Sequence, residues 1–442
     1  MTNRLLIFLV ILYPISDLGG ALIYSITGVS SISDLRNLRD LVTISLFFIA
    51  LYRKRVPVDI YPPAVTYSFF VLIYTIVSLI KGISISLVIS SAAILLLPIL
   101  IFIASSSATR PSSIIDRVLC ILFCYSFVSI AFGLWEKENT YFWQYTVFYG
   151  DYLRDVKGVF SGFNSAFDLP WNFFGYELER RAAGLLASPL ANGFFLGTVS
   201  MLLLSKYSNT HGIGYLLLFV FSLFGVYLTG TRGALPFVII SIIAYALLNT
   251  YDVRKFFRII LISSGVFVFT LPFLQEIVFY TVNFLDGSTI GHYRAIVDNF
   301  SGLLDISLFG YGVGSAGARA SAVGNEIMGG GEGAIFSIAY QLGMPGAIAF
   351  LWFYVVLVRL LLKNIEDCGT YKQQNFASVS VLIGASSSLF LSEHLLTYSG
   401  AATIWLVTSL CIVNCRSFRK YSHVPSGETG SGKLIGQASS YG

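Results

Sequence analysis

Long runs of apolar residues recur along this sequence, and short clusters of charged residues separate them. Most of these runs are about 17 to 25 residues long, the length a helix needs to cross the hydrocarbon core of a bilayer. Helices are favoured within lipid because they satisfy their own backbone hydrogen bonds. The 442 residues are 55% hydrophobic and 12% charged, which excludes an ordinary soluble domain. The sequence therefore predicts an all-α, polytopic integral membrane protein.

About twelve transmembrane helices are predicted from these runs. They lie near residues 5–26, 41–52 with the turn that precedes it, 64–80, 83–105, 118–134, 190–205, 213–229, 233–249, 259–275, 334–362, 376–392 and 398–415. An N-terminus inside the cell places most lysines and arginines of the short loops in the cytoplasm, as the positive-inside rule requires. We therefore attribute the net charge of +5 to topology and expect no nucleic-acid partner. Asp17, Gly19 and Gly20 stand where a signal peptide would have its cleavage site, so the first helix is expected to be retained.

The predicted spans divide the chain into successive parts. These are helices 1–5 in residues 1–134, an aromatic-rich loop in 135–189, helices 6–9 in 190–275, a second long loop in 276–333, helices 10–12 in 334–415 and a cytoplasmic tail in 416–442. Both long loops are predicted to be periplasmic, and long loops in compact membrane proteins usually carry function. The tail is polar and rich in Gly and Ser, a composition typical of disorder.

The cysteines are all predicted to face the cytoplasm. Cys120, Cys124, Cys411 and Cys415 lie at predicted helix ends and Cys368 in a loop. Cytosolic thiols stay reduced, so we expect no disulfide. No histidine stands beside these cysteines and no Asp-x-Asp pair occurs on the outer side, so neither a metal nor a cofactor is expected.

Aromatic residues crowd the loop 135–189, among them Trp135, Trp143, Tyr149 and Trp171. Two interpretations are open for them. The rings could lie along lipid headgroups, where Trp and Tyr are enriched. They could instead stack on the faces of sugars, because they present flat apolar surfaces. We favour the interfacial position.

Several arginines are predicted on the outer side, against the positive-inside rule. They are Arg180, Arg181, Arg232, Arg294 and Arg319. A single such arginine can snorkel to headgroups or cap helix carbonyls. Arginines that converge can bind a diphosphate bidentately, for which the planar guanidinium suits better than lysine. The predicted ligand is therefore anionic and attached to a lipid, with Lys81, in a short outer turn, as a further candidate contact.

Glu332 stands where the glycine run Gly329–Gly331 meets an apolar helix. Glycines allow close backbone approach to a ligand, and a helix start offers N–H groups that favour anions. This setting suits a catalytic carboxylate, although a turn that only exposes the acid to water is the open alternative. Glu393 and His394, adjacent in a short outer turn, form a second candidate for the same role.

Short motifs follow one another across about residues 180–350. They comprise Arg181-x-x-Gly184 followed by Ser188-Pro189, the turn Thr231-Arg232-Gly-Ala, Arg294 followed by Gly310-x-Gly312-x-Gly314, and Glu332-Gly333 followed after nine residues by Gly343-Met-Pro-Gly346. Each motif is loose by itself. Their order and spacing make the set more specific.

In order and spacing these motifs resemble those of the bacterial O-antigen polymerase and O-antigen ligase superfamily. The last is similar to the ligase motif His-Asn/Ser-x9-Gly-x-x-Gly with Glu332 in the place of histidine, which makes the chain more like the polymerases. The resemblance implies a GT-C-like, metal-independent glycosyltransferase of the bacterial inner membrane. It would join undecaprenyl-diphosphate-linked repeat units of O-antigen, or of a related surface polysaccharide, at the periplasmic face. A chain-length regulator is the protein partner that the resemblance implies.

The resemblance also implies roles for individual residues. Arg232, Arg294 and then Arg181 would stabilise the leaving diphosphate, since a sugar diphosphate needs charge stabilisation more than a proton donor. Glu332 would take the proton of the attacking hydroxyl. Contacts to the substrates would come from a further set, namely Arg180, Arg319, Lys81, His292 and Tyr293.

Two other functions compete with polymerisation. An O-antigen ligase would transfer a finished glycan to lipid A core, but the ligase histidine is missing here. A lipid-linked oligosaccharide transporter or flippase would show internal repeats and charged residues within its spans. Here the unusual residues gather on one predicted face, which suits an enzyme whose two substrates arrive on the same side.

Overall fold

Long helices account for most of the chain in the computed structural model. The structure describes residues 2–109, 111–175, 178–249, 309–324, 333–363 and 365–422, with positions 290, 293, 294, 297–299 and 301. The long helices of this part are α1 Thr2–Thr27, α2 Leu35–Tyr52, α3 Tyr61–Ile80, α4 Ile85–Ser105, α5 Pro111–Glu138, α6 Pro189–Thr210, α7 Ile213–Leu228, α8 Ala234–Asn249, α9 Ala334–Lys363, α10 Lys372–Leu391 and α11 Tyr398–Ser422.

These helices confirm the all-α prediction and mark a multi-pass membrane protein. Within the described residues, 7 helical segments are long and apolar enough to cross a membrane, and α7 and α8 are shorter apolar helices. Each predicted span except 259–275 coincides with a long helix, and α11 continues to Ser422, into the region predicted as the tail. The span 259–275 lies outside the described residues, as do most of the second loop and the chain from residue 423, so the count of twelve stays a prediction.

Helix α6 lies in the middle of the protein, with its residues from Ala191 to Ser205 buried. Ser188 caps its start by accepting a hydrogen bond from the Ala191 N–H at 3.4 Å, and Pro189 occupies the first helical position. Its glycines let neighbouring helices approach closely. Apolar side chains on α2, α3 and α9 are exposed, as expected for a surface that faces lipid.

The polar segments between the helices gather at two ends of the bundle. One end, here called the loop end, carries residues 139–188, the turn between α7 and α8, residues 309–324 and the turn between α10 and α11. At the opposite end Lys206 Nζ lies 2.8 Å from Asp116 Oδ1, and the Tyr371 hydroxyl donates a hydrogen bond to the same carboxylate at 2.6 Å. The helices thus separate two polar surfaces.

The segment 139–188 folds as a small unit with its own core. It contains short helices at Phe142–Thr146, Tyr149–Asp155, Trp171–Phe173 and Gly184–Leu186, and a two-stranded antiparallel sheet of β1 Phe163–Asn164 and β2 Leu169–Pro170. Trp143, Tyr149, Tyr152 and Phe173 are buried together with residues of α1. Within the predicted loop 135–189, the exposed rings include Trp135 at the end of α5 and, in the small unit, Tyr141, Tyr145, Phe160 and Trp171. The choice between a lipid interface and sugar stacking therefore concerns only the exposed rings.

Cys368 and Cys415 form a disulfide at the end opposite the loop end, so the expectation of no disulfide was wrong. The two residues are 47 positions apart, and the sequence gives no sign that the short helical turn Glu366–Tyr371 folds back onto α11. That turn brings both buried sulfur atoms together. The other three cysteines, Cys120, Cys124 and Cys411, carry free thiols.

Candidate functional site

Two groups of residues form the polar surface at the loop end. The first, called the arginine corner, comprises Arg180, Arg181 and the turn Thr229–Arg232. The second, called the glycine loop, comprises residues 309–319. Predicted motifs supply both groups, although long stretches of sequence separate them.

Backbone hydrogen bonds fix the segment that follows Arg180 on both of its sides. The Arg181 N–H donates to the Phe173 carbonyl at 3.0 Å, and the Ala182 N–H donates to the Leu228 carbonyl at 3.1 Å. The Gly184 N–H donates to Glu136 Oε1 at 2.9 Å. The first arginine motif is therefore held between the ends of α5 and α7.

The side chain of Arg181 lies against the second arginine motif. A Cβ at Gly230 would sit 3.3 Å from Arg181 Cγ, and Gly230 has a positive φ of 56°. The turn itself is seated on α6, because Thr231 Oγ1 donates to the Pro189 carbonyl at 3.0 Å. Arg181 thus packs beside the turn that also carries the partly exposed Arg232.

Arg180 is partly buried beside aromatic rings and one carboxylate. Its guanidinium carbon lies 5.3 Å from the Phe173 ring centroid and 5.2 Å from that of Phe174. Its Nε and Nη1 atoms are buried and make no hydrogen bond within the described part of the chain. Burial lowers the pKa of Arg180, and the nearby Glu136 carboxylate offsets part of this shift. The Arg180 guanidinium is therefore a partly buried cation whose nearby counter-charge is the Glu136 carboxylate.

Glu136 is a residue of this corner that was not predicted. Its side chain is 2% exposed, and its two oxygens accept hydrogen bonds from Trp143 Nε1 and from the Gly184 N–H. In the sequence it stands in a short charged cluster that resembles a solvated helix end. Helical spacing could have indicated its position, because Ser129, Gly133 and Glu136 fall on one face of α5. In the structure all three residues are buried.

The helix α9 is broken near Gln341, and the glycine loop donates a hydrogen bond to the carbonyl that loses its partner there. Gly343 has φ 75° and ψ 171°, which interrupts the helix, and the proline two residues later has no N–H to offer the Gln341 carbonyl. The Gly312 N–H donates to that carbonyl at 3.0 Å, and the Tyr311 N–H donates to the Tyr340 carbonyl at 2.7 Å. The glycine-rich motif and the motif at the helix break are therefore in contact. Non-helical backbone that is buried in protein in this way is tolerated near membrane depth.

Replacing Gly310 by alanine is expected to destabilise this contact. A Cβ there would lie 2.5 Å from the Gln341 carbonyl oxygen and closer still to Gly343 N, and these backbone atoms cannot rotate away. We expect the free energy of unfolding to fall by about 1–3 kcal/mol, as at other overpacked sites. Thermal melting of the purified protein in detergent measures the change. Gly214→Ala is the control, because no atom lies within 4 Å of its added Cβ, and equal melting of the two variants would contradict the docked loop.

The turn between α10 and α11 joins the two groups. Glu393 Oε2 accepts a hydrogen bond from the Ala318 N–H of the glycine loop at 2.7 Å. The ring of His394 lies 5.1 Å from that of Phe194 in α6. A Cβ at Gly233, the neighbour of Arg232 in the chain, would lie 3.8 Å from the same Phe194 ring. Burial lowers the pKa of His394 to about 3, so its imidazole is neutral near pH 7.

The lowered pKa of His394 predicts a loss of stability in acid. The unfolded chain binds the proton more readily than the folded one, so stability falls as the pH decreases from about 6.5 towards 3. Because His394 as a residue is only partly buried, we expect a loss on the order of 1 kcal/mol between pH 7 and pH 5. Melting curves at both pH values test this. His394→Asn should lose less stability on acidification than the wild type, and an equal loss would contradict the assignment.

Arg319 and Lys81 hold the glycine loop to its surroundings. Arg319 Nη1 donates to the Lys157 carbonyl at 2.8 Å, and its Nε donates to Ser90 Oγ at 3.2 Å. Lys81 Nζ donates to the Tyr311 carbonyl at 2.9 Å. These bonds tie the loop to the 139–188 segment, to the end of α3 and to the first turns of α4. The sequence did not indicate this use of either residue.

The structure describes only some of the remaining predicted site residues. Tyr293 and Arg294 are exposed, and Glu332 and His292 lie outside the described residues. Gly333, which follows Glu332 in the chain, lies against the end of α10. There a Cβ would sit 2.7 Å from the carbonyl oxygen of residue 390. The chain therefore enters α9 close to the turn between α10 and α11.

The arginine corner and the glycine loop lie at the same end of the bundle, and the contact of buried Phe194 with His394 links them through the interior. The polar surface at this end offers guanidinium groups suited to an anion, and a carboxylate beside buried backbone. The function proposed below therefore rests on the chemistry of these residues. No protein-family model matches the chain, and no curated protein matches it significantly.

Proposed function

We propose that this protein is a glycosyltransferase of the O-antigen polymerase type. It joins undecaprenyl-diphosphate-linked oligosaccharide repeat units at the periplasmic face of the bacterial inner membrane. The observation that carries the proposal is the close approach of Arg181 to Gly230 in the arginine turn, because it brings two separate arginine motifs to one corner. Such a corner suits a diphosphate, which guanidinium groups bind bidentately.

The chemistry follows from the residue types. The hydroxyl oxygen at the non-reducing end of the acceptor unit attacks the anomeric carbon of the donor glycan. The bond between that carbon and the diphosphate oxygen breaks, and undecaprenyl diphosphate leaves with the electron pair. Arg181, Arg232 and Arg294 stabilise the charge that develops on the diphosphate. Glu332 takes the proton of the attacking hydroxyl.

The two groups of residues suit a reaction with two lipid-linked substrates. The arginine corner would hold the diphosphate of the donor. The glycine loop, with Gly333 and Glu393 beside it, would hold the acceptor hydroxyl near a carboxylate. Glycine backbone allows a sugar to approach closely there. Polar groups gathered on one surface favour an enzyme over a transporter, whose substrate site lies near the bilayer midplane.

Glycan banding on a gel tests this function. Lipopolysaccharide from a strain that lacks the gene is compared with that from the same strain complemented by the wild-type chain. Core bearing a single repeat unit in the deletion strain, and a ladder on complementation, would support polymerisation. Core without any repeat unit would point to a ligase or an export step. An unchanged ladder in the deletion strain would remove the protein from this pathway.

A further inference from the structure

Glu136 is a buried carboxylate that the proposed reaction does not use. It lies at the loop end of α5, where Trp143 Nε1 donates to its Oε2 at 2.5 Å and the Gly184 N–H donates to its Oε1 at 2.9 Å. A buried carboxylate is costly unless it is paired. Its charged neighbour is Arg180, which is distant in the sequence. The fold therefore brings this acid close to Arg180 of the arginine corner.

Two further side chains hold the same stretch of backbone. The Leu185 N–H donates to Ser129 Oγ at 3.1 Å, and Ser129 Oγ donates to Asn192 Oδ1 at 2.9 Å. Gly184 has φ +60°, and a Cβ there would collide with Ser129 Oγ. Side chains from α5 and α6 thus fix the peptide groups that follow the two adjacent arginines. Glu136 is the charged member of this network.

We infer that Glu136 is a positioning residue that sets the affinity of the arginine corner for a polyprenyl diphosphate. The inference rests on the proposed function. Glu136 accepts a hydrogen bond from the Gly184 N–H, and its carboxylate interacts electrostatically with the Arg180 guanidinium. The Nε and Nη1 atoms of Arg180 are buried and make no hydrogen bond to any residue that the structure describes, so the nearby carboxylate offsets part of the cost of burying them and helps to hold the guanidinium in place. Glu136 itself does not touch the diphosphate.

Replacing Glu136 by glutamine disturbs both its hydrogen bonding to the backbone at Gly184 and its electrostatic interaction with Arg180. A glutamine side chain has one accepting oxygen and an NH₂ group, so either Trp143 or Gly184 would face a second donor instead of an acceptor. The substitution also removes the charge that faces Arg180. Glu138→Gln is the matched control, because Glu138 lies exposed on the same helix and the substitution is the same one. Trp143→Phe is a milder variant that frees one oxygen and keeps the carboxylate.

Two measurements on the purified full chain in detergent separate the possible outcomes. Hydrogen exchange of residues 178–188 without ligand reports whether the backbone is held. Titration with farnesyl diphosphate reports the affinity. We expect Glu136→Gln to speed exchange at Gly184 and to weaken binding by about 10-fold, roughly the effect of losing one charge-assisted hydrogen bond. Trp143→Phe should change the exchange rate and the affinity in the same direction but by less. Glu138→Gln should change neither the exchange rate nor the affinity.

A double-mutant cycle with Arg180→Gln tests whether Glu136 acts through that arginine. The two substitutions should weaken binding together by less than the product of their separate effects. Separate effects that multiply would overturn the positioning role, as would exchange and binding equal to those of Glu138→Gln. Faster exchange with unchanged binding would overturn it as well. A wild-type chain that binds no farnesyl diphosphate would instead contradict the proposed function, and the inference with it.

Discussion

Glu332→Gln is expected to leave lipopolysaccharide core bearing a single repeat unit, where the wild-type chain restores a ladder. The amide cannot take the proton of the attacking hydroxyl, and general-base help is typically about 10²–10⁴-fold. The measurement is glycan banding from the deletion strain complemented with each variant. The level of the protein in the membrane is measured alongside, because a missing ladder counts only when the variant is present. Glu138→Gln, at an exposed acid on α5, should restore the full ladder.

Glu393→Gln gives the sharpest comparison for Glu332. Glu393 accepts a hydrogen bond from the Ala318 N–H, so its substitution is expected to disturb the glycine loop as well as remove a carboxylate. Catalysis by Glu332 predicts a stable, inactive Glu332→Gln protein and a less stable Glu393→Gln protein that keeps some activity. The opposite pattern would assign the base to Glu393. A full ladder with both variants would exclude a carboxylate base at this surface.

Arg232→Lys is expected to lower kcat/KM by about 10²–10³-fold, the range seen when one group that stabilises developing charge is lost. Lysine keeps the charge but presents a single ammonium, which cannot bind two phosphate oxygens as a planar guanidinium does. The measurement is the rate of polymerisation of purified lipid-linked repeat units by the protein in detergent. Arg359→Lys, at an exposed position near the other end of α9, should leave the rate unchanged.

The position of Arg181 makes this prediction more specific. Because Arg181 lies against Gly230 in the turn that carries Arg232, the two arginines are expected to act on the same diphosphate. Arg181→Lys should therefore lower the rate too, and the double variant should lose less than the product of the two separate losses. Equal rates for Arg232→Lys and Arg359→Lys would contradict a role for the arginine turn in catalysis.

The helices could be predicted from the sequence more completely than the residues of the site. A carboxylate such as Glu136 shows its importance only through its hydrogen bonds with Trp143 and Gly184. The disulfide between Cys368 and Cys415 was missed because these cysteines were predicted to face a reducing cytosol, and the sequence does not show the contact between them. Arg319 was predicted to be a site residue because the positive-inside rule disfavours an arginine on the outer side. Nothing in the sequence indicates that the Lys157 carbonyl accepts one of its hydrogen bonds.

Helix positions follow from the sequence alone, because the length of an apolar run is a local property to which a bilayer responds directly. The break in α9 also has a local cause, because the glycines and the proline at 343–346 determine the backbone conformation at their own positions. The docking of the glycine loop into this break and the approach of Arg181 to the arginine turn appear only in the folded protein. Those contacts join residues far apart in the chain, and they depend on how whole helices pack against one another.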